Sequence, residues 1–300
     1  MPDPIDQLKA MTKQKDFFIG IDSDGCAFDT MEIKHKECFI PNIINSWELQ
    51  AVSSLARETA EFVNLYSRWR GVNRFPGLVM VFDLLAERPE AVERGYKSPQ
   101  VDSLRAWIKE ESKLGNPALK TKAAETGDPV LKRTLEWSKA VNESIERFVR
   151  GVPPFPHVRE SLVRFADVAD TVVVSATPGE ALRREWAEHD IARYARLICG
   201  QEMGSKTEHL RYAAGGKYAP GKVLMVGDAP GDLKAAQANG ALFFPVNPGD
   251  EATSWKRFLE EAADRFFKGK YAGAYEKALI DEFLTLLPET PPWKAKGGSA

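Results

Sequence analysis

The sequence predicts an α/β protein, a doubly wound parallel sheet core interrupted by an inserted all-helical domain. Three observations predict it. Short apolar runs at 17–21, 171–174, 222–226 and 241–246, with a weaker one near 197–199, have the length and unbroken hydrophobicity of strands buried on both faces. From residue 157 onward these runs alternate with helical stretches, the texture of a parallel sheet covered on two sides. Between the first run and the second lie about 120 residues of purely helical texture, enough for a domain of their own. The core is therefore assigned to residues 1–33 and 156–300, and the helical domain to 34–155.

Taken in order, residues 1–15 read as a loose or helical lead-in. The run at 17–21 then enters Asp22-Ser23-Asp24-Gly25, two carboxylates followed by a glycine that lets the backbone turn away. Residues two apart in extended chain point the same way, so Asp22 and Asp24 address one crevice beyond the strand. Carboxylates that close repel unless a cation or a shared proton relieves them. With a hard ion such as Mg²⁺ present, one carboxylate can attack phosphorus while the other moves a proton. The same stretch also reads as a strand end with two solvated acids.

In the helical domain, Asn45 with Glu48 resembles a capping box ahead of Val52, Leu55, Ala56, Thr59, Phe62, Val63 and Tyr66 at helical spacing. Ser98-Pro99, Asn116-Pro117 and Asp128-Pro129 each read as a helix start. The last opens a face of Leu131, Leu135, Val141, Ile145, Phe148 and Val149 that stops at Gly151. The proline-rich segment 151–156 breaks the block, because proline supplies no amide hydrogen. Helices are then expected at 157–167, at 180–190, after Lys206 and at 232–239. Two amphipathic helices follow within 251–287, and 289–300 reads as frayed.

The ends of the later strands carry polar groups. Ser175-Ala176-Thr177-Pro178 offers a hydroxyl and backbone amides suited to a phosphate oxygen, although Ser175 alone also suits a helix cap. Gly227-Asp228-Ala229-Pro230-Gly231-Asp232 opens a buried strand onto two acids four apart. Asp232 also fits as the cap of the next helix, and Asp228 does not. Lys206, in Gly204-Ser205-Lys206-Thr207, places a cation before a helix, where a lone lysine is more often solvated.

Together and in this order, Asp22/Asp24, Ser175, Lys206 and Asp228/Asp232 resemble the motif set of the haloacid dehalogenase superfamily, in its phosphatase and phosphomutase branch. The resemblance covers residues 17–34 and 153–247, and departs from the usual threonine or valine at Cys26. It implies a Rossmann-like core and a helical cap, since 153 positions separate Asp22 from Ser175 but only 31 separate Ser175 from Lys206. It also implies roles. Asp22 is the nucleophile that forms an aspartyl-phosphate, and Asp24 the general acid and base. Mg²⁺ is held by Asp22, the backbone carbonyl of Asp24, and Asp228, with Asp232 in support. Ser175, the Ala176 amide and Lys206 bind the phosphoryl oxygens. The expected activity is that of a phosphoric monoester hydrolase on a small phosphorylated metabolite. A phosphomutase, a phosphonate hydrolase or a non-catalytic phospho-ligand binder stands as the alternative. Asp24 disfavours dehalogenation, because a halide leaves without a proton.

Composition narrows the partners. A formal net charge of −2 gives no basic footprint for nucleic acid, and no run approaches the roughly 18 apolar residues of a membrane span. Cys26, Cys38 and Cys199 lack metal-type spacing and suit free thiols, so a cytoplasmic location is expected. Within the helical domain, Arg68, Arg70 and Arg74 cluster with Tyr66 and Trp69 without an acid, and His35 follows the first motif. These four basic residues are candidates for substrate recognition. The arginines also read, somewhat more simply, as a helix end whose side chains meet solvent or the last carbonyls, and His35 as incidental.

Overall fold

The computed structural model describes residues 4–296. Five strands, β1 (Phe17–Ile21), β2 (Ala169–Val174), β3 (Leu197–Cys199), β4 (Val223–Gly227) and β5 (Leu242–Pro245), form one parallel sheet in the order β3-β2-β1-β4-β5. Alternate residues feed two separate cores. Ile19, Ile21, Val173, Leu224, Val226 and Phe244 pack with Phe165, Trp186, Trp255 and Phe258. Phe18, Val172, Val174, Met225 and Phe243 pack with Leu210, Ala213, Leu233 and Phe283. Both faces are thus covered, which is why the strands read as unbroken apolar runs. The chain winds outward from β1 through β2 to β3, then returns to β4 and β5 on the other side. The order reverses between β1 and β4, where ligands collect in open parallel sheets.

Contacts divide the chain into two compact units, residues 1–31 with 151–287, and residues 32–150 with 288–300. The described part of the tail beyond 287 therefore groups with the helices, whereas the sequence assigned it to the core. Its aromatic end explains this. Trp293 packs edge-on against Phe62 and under the Arg88 guanidinium, both in the helical unit. Residues 292–296 form a short helix, and 297–300 lie outside the described residues.

The helical unit departs from the sequence reading in three places. Asn45 lies inside the helix Ile40–Ser46, because Ile40, Ile43, Ile44 and Trp47 all enter the core; Glu48 sits in a left-handed turn instead of a capping box, and the next α-helix spans Ser53–Asn64. Pro99 starts no helix. Tyr96 donates its hydroxyl to the Phe82 carbonyl, Val101 is buried, and the helix begins at Asp102. Phe148, expected on the apolar face, is exposed at the end of the helix Pro129–Phe148. That helix does start as expected, with the Asp128 carboxylate accepting from the Leu131 amide at 2.9 Å. Among the described residues no helix is long and apolar enough to cross a membrane.

Candidate active site

The loop after β1 is a tight coil. The Ser23 carbonyl accepts from the amides of Cys26, Ala27 and Phe28, and Gly25 turns at φ +78°, a left-handed conformation that favours glycine. This leaves Asp22 at the carboxyl edge of β1, with its amide bonded to the Val226 carbonyl of β4 at 3.0 Å. Its Oδ1 accepts from the Ser23 amide at 2.7 Å and its Oδ2 from Lys206 Nζ at 2.6 Å.

Lys206 is presented by the first turn of the helix Lys206–Ala214. Ser205 and Glu208 fasten that turn reciprocally, Glu208 accepting from the Ser205 amide at 2.8 Å and Ser205 from the Glu208 amide at 3.3 Å. The ammonium also donates to Asp232 Oδ1 at 2.6 Å. The other oxygen of Asp232 accepts from the Ala229 amide at 3.1 Å, so this acid both closes the loop after β4 and holds the lysine. Asp228 completes the group. Carboxylate oxygens of Asp22, Asp228 and Asp232 lie within 4.8 Å of one another, and all three residues are buried.

Three buried carboxylates and one ammonium carry a formal excess of two negative charges. Burial raises the Asp22 carboxyl well above its usual range, with Asp232 and Asp228 adding to the rise and Lys206 opposing it. For Lys206 burial acts against the charge, yet Asp22, Asp232 and Asp228 hold the ammonium above the ordinary lysine range. Such a group of oxygen donors fits a hard divalent cation, whose charge would relieve the repulsion.

Asp24 is held by two threonine hydroxyls. Its Oδ2 accepts from Thr177 Oγ1 at 2.6 Å and its Oδ1 from the Thr30 hydroxyl. Ser175 is buried at the end of β2, its Oγ accepting from the Thr177 amide at 3.2 Å, and Ala176 beside it is exposed. Cys26 is buried with its thiol on the Val226 carbonyl at 3.6 Å. Burial and the neighbouring Asp228 keep that thiol protonated, well above its ordinary value.

The structure therefore brings Asp22, Lys206, Asp228 and Asp232 together, with Asp24 held in the adjoining loop. His35, Arg68, Arg70 and Arg74 belong to the helical unit. His35 stacks on Phe39, and the Arg68 amide donates to the Pro288 carbonyl. Arg70 is buried and donates to the Leu65 carbonyl at 2.9 Å. Arg74 donates to the Ser138 hydroxyl at 2.9 Å and to Asn142 Oδ1 at 2.7 Å, and lies over the Phe39 ring. Arg70 thus binds the end of the helix Ser53–Asn64 that precedes it, and Arg74 joins the start of its own helix to the helix Pro129–Phe148. The sequence alone did not single out Thr30 and Thr177 as partners of Asp24. The one available signal was a threonine two positions beyond Ser175.

The motif residues Asp22, Asp24, Ser175, Lys206, Asp228 and Asp232 stand at the carboxyl edge of one sheet. The resemblance is to the haloacid dehalogenase superfamily. Solved structures similar to this chain include a haloacid dehalogenase superfamily hydrolase of subfamily IA from Geobacter sulfurreducens, 15% identical, covering 79% of this chain and 90% of its own, with a TM-score of 0.38. A candidate phosphoglycolate phosphatase from Lactobacillus delbrueckii is 16% identical, with 86% and 99% covered and a TM-score of 0.48. A candidate β-phosphoglucomutase from Thermotoga maritima is 15% identical, with 83% and 99% covered and a TM-score of 0.41. No family model and no curated protein matches the sequence.

Proposed function

We propose that this chain is a Mg²⁺-dependent phosphohydrolase of the haloacid dehalogenase type, acting on a small phosphorylated metabolite through phosphorylation of Asp22. The observation that carries this reading is the buried group in which Lys206 spans Asp22 and Asp232 beside Asp228.

Asp22 and Asp228, with the Asp24 carbonyl, would hold the ion. Bound there, Mg²⁺ supplies positive charge to the phosphoryl oxygens and to the crowded acids. Every other step belongs to the protein. A carboxylate oxygen of Asp22 attacks phosphorus in line, forming an acyl phosphate as the ester P–O bond breaks. Asp24 gives its proton to the departing oxygen, then takes one from the water that hydrolyses the acyl phosphate. The Ser175 hydroxyl, the Ala176 amide and Lys206 hold the equatorial oxygens, and Asp232 keeps Lys206 in place. The helical unit, inserted between Asp22 and Ser175, is the part proposed to select the substrate.

The deciding experiment measures phosphate release from an aryl phosphate by the wild type and by Asp22→Asn, each with Mg²⁺ and with a chelator. Turnover that needs both the metal and Asp22 supports the reading. Turnover that survives in Asp22→Asn or in chelator overturns it, and a folded, Mg²⁺-loaded wild type without turnover moves the assignment to a phosphomutase, a phosphonate hydrolase or a binder.

A further inference from the structure

We propose that Thr177 is a positioning residue for Asp24, holding its carboxylate in the orientation from which it serves the oxygen of the leaving group. The inference rests on the phosphohydrolase reading and assigns a residue outside the motif set. Thr177 Oγ1 donates to Asp24 Oδ2 at 2.6 Å while Thr30 engages Oδ1, so the carboxylate is gripped on both oxygens.

A hydroxyl orients its partner only as well as its own backbone is fixed, and the backbone of Thr177 is fixed on several sides. Its amide donates to Ser175 Oγ at 3.2 Å, and its carbonyl accepts from the Gln201 amide at 3.1 Å. Gly200 approaches so closely that a Cβ there would lie 2.7 Å from the Thr177 oxygen and 2.4 Å from the Gly179 nitrogen. The helix Gly179–Glu188 that follows reaches back to the same acidic loop. Trp186 Nε1 donates to Ser23 Oγ at 3.0 Å, and Ser23 Oγ donates to Glu185 Oε2 at 3.2 Å. The segment that presents Ser175 to the phosphoryl group thereby also grips the two residues after the nucleophile. Thr177 is not the cap of its helix. That position belongs to Pro178, and the threonine hydroxyl is directed to Asp24 instead. Thr177 exchanges no proton in the reaction: Asp24 hands its proton to the leaving oxygen, and the threonine keeps the donor aimed.

Leaving-group chemistry separates this role from a merely structural one. A dinitrophenolate departs without protonation, whereas an alkoxide needs the proton of Asp24, and kcat/KM covers the steps through phosphoryl transfer to Asp22. The test compares wild type, Thr177→Val and Thr177→Ser on dinitrophenyl phosphate and on a primary alkyl phosphate, with Mg²⁺ affinity measured by calorimetry. Thr177→Val is expected to lose about tenfold or more in kcat/KM on the alkyl ester and less than about threefold on the aryl ester, with Thr177→Ser close to wild type. Mg²⁺ affinity stays unchanged. Thr177→Ala, which should show the same differential, replaces the valine variant if that one does not fold. Equal losses on both esters, or no loss on either, overturn the inference. A wild type that turns over neither ester sinks the phosphohydrolase reading, and this inference with it.

Discussion

At Gly227 a Cβ would lie 2.4 Å from the Asp232 Cβ and 2.5 Å from its Cγ, so the absence of a side chain is what lets Asp232 fold back under the end of β4. Gly227→Ala should push Asp232 off Lys206, cost about 1–3 kcal/mol of stability and depress Mg²⁺ affinity, both measurable by urea unfolding and calorimetry. His209, three residues after Lys206, is fully buried, and burial together with the Lys206 ammonium drives its imidazole down to about 4, against the weaker pull of Glu208 and Glu202. Between that value and the unfolded histidine range of about 6.5, only the unfolded chain binds the proton. Stability from this residue is therefore complete above about pH 6.5 and is lost as pH falls toward 4, by about 3 kcal/mol. His209→Leu should flatten that slope in denaturant titrations, and an unchanged slope would assign the acid sensitivity elsewhere. Arg74→Ala should lower stability through its lost bonds to Ser138 and Asn142 and leave KM for an aryl phosphate unaltered.

At the scale of elements, Asp170 at the start of β2 ties four segments together. It accepts from the Gln14 and Lys15 amides at 2.8 and 3.0 Å, from Arg196 Nη1 at 2.9 Å and from the Tyr218 hydroxyl at 2.6 Å. The lead-in to β1, the approach to β3 and the segment ahead of β4 are thus pinned at the edge of the sheet opposite the acids. Burial works against its charge, but the hydroxyl, the two amides and the guanidinium hold the carboxyl below its usual range. A lowered folded value means the stabilisation is present above the unfolded carboxylate range of about 3.9 and disappears as pH falls through the lowered one. Asp170→Ala should cost about 3 kcal/mol, and Asp170→Asn should remove the acid-side slope. The helix starts show why local signals read unevenly. Asp128-Pro129 begins a helix because the carboxylate reaches the Leu131 amide, whereas Ser98-Pro99 does not because Tyr96 and Val101 are drawn into the core.

At the scale of the whole molecule, the chain leaves the sheet unit after residue 31 and re-enters it at 151. Within that unit the exit and entry strands are stapled, since the Phe155 amide donates to the Ala27 carbonyl at 2.9 Å and Phe28 bridges to Pro154. Replacing 32–150 by a short glycine-serine linker, and ending the chain at Leu287, should therefore leave the parallel sheet folded. Cooperative urea unfolding followed through Trp186 and Trp255, which are buried in the sheet unit, checks this; a gradual transition would show that the helical residues are needed to complete the core.

Strand identity, strand polarity and the acids at the strand ends were legible in the sequence. A strand buried on both faces leaves an unbroken apolar run, and a carboxylate at its tip interrupts that run visibly, as at Asp22 and Asp228. What the sequence could not supply was pairing across distance. Thr177 meets Asp24 from 153 positions away, and Gly227 matters only because Asp232 folds beneath it. Arg74 stood in the sequence as a candidate for substrate recognition, and its bonds to Ser138 and Asn142, on another helix, are visible only in the fold. Periodicity records which side of an element is buried; the tertiary structure alone decides which group waits on that side, because hydrogen bonds form between atoms brought together in space.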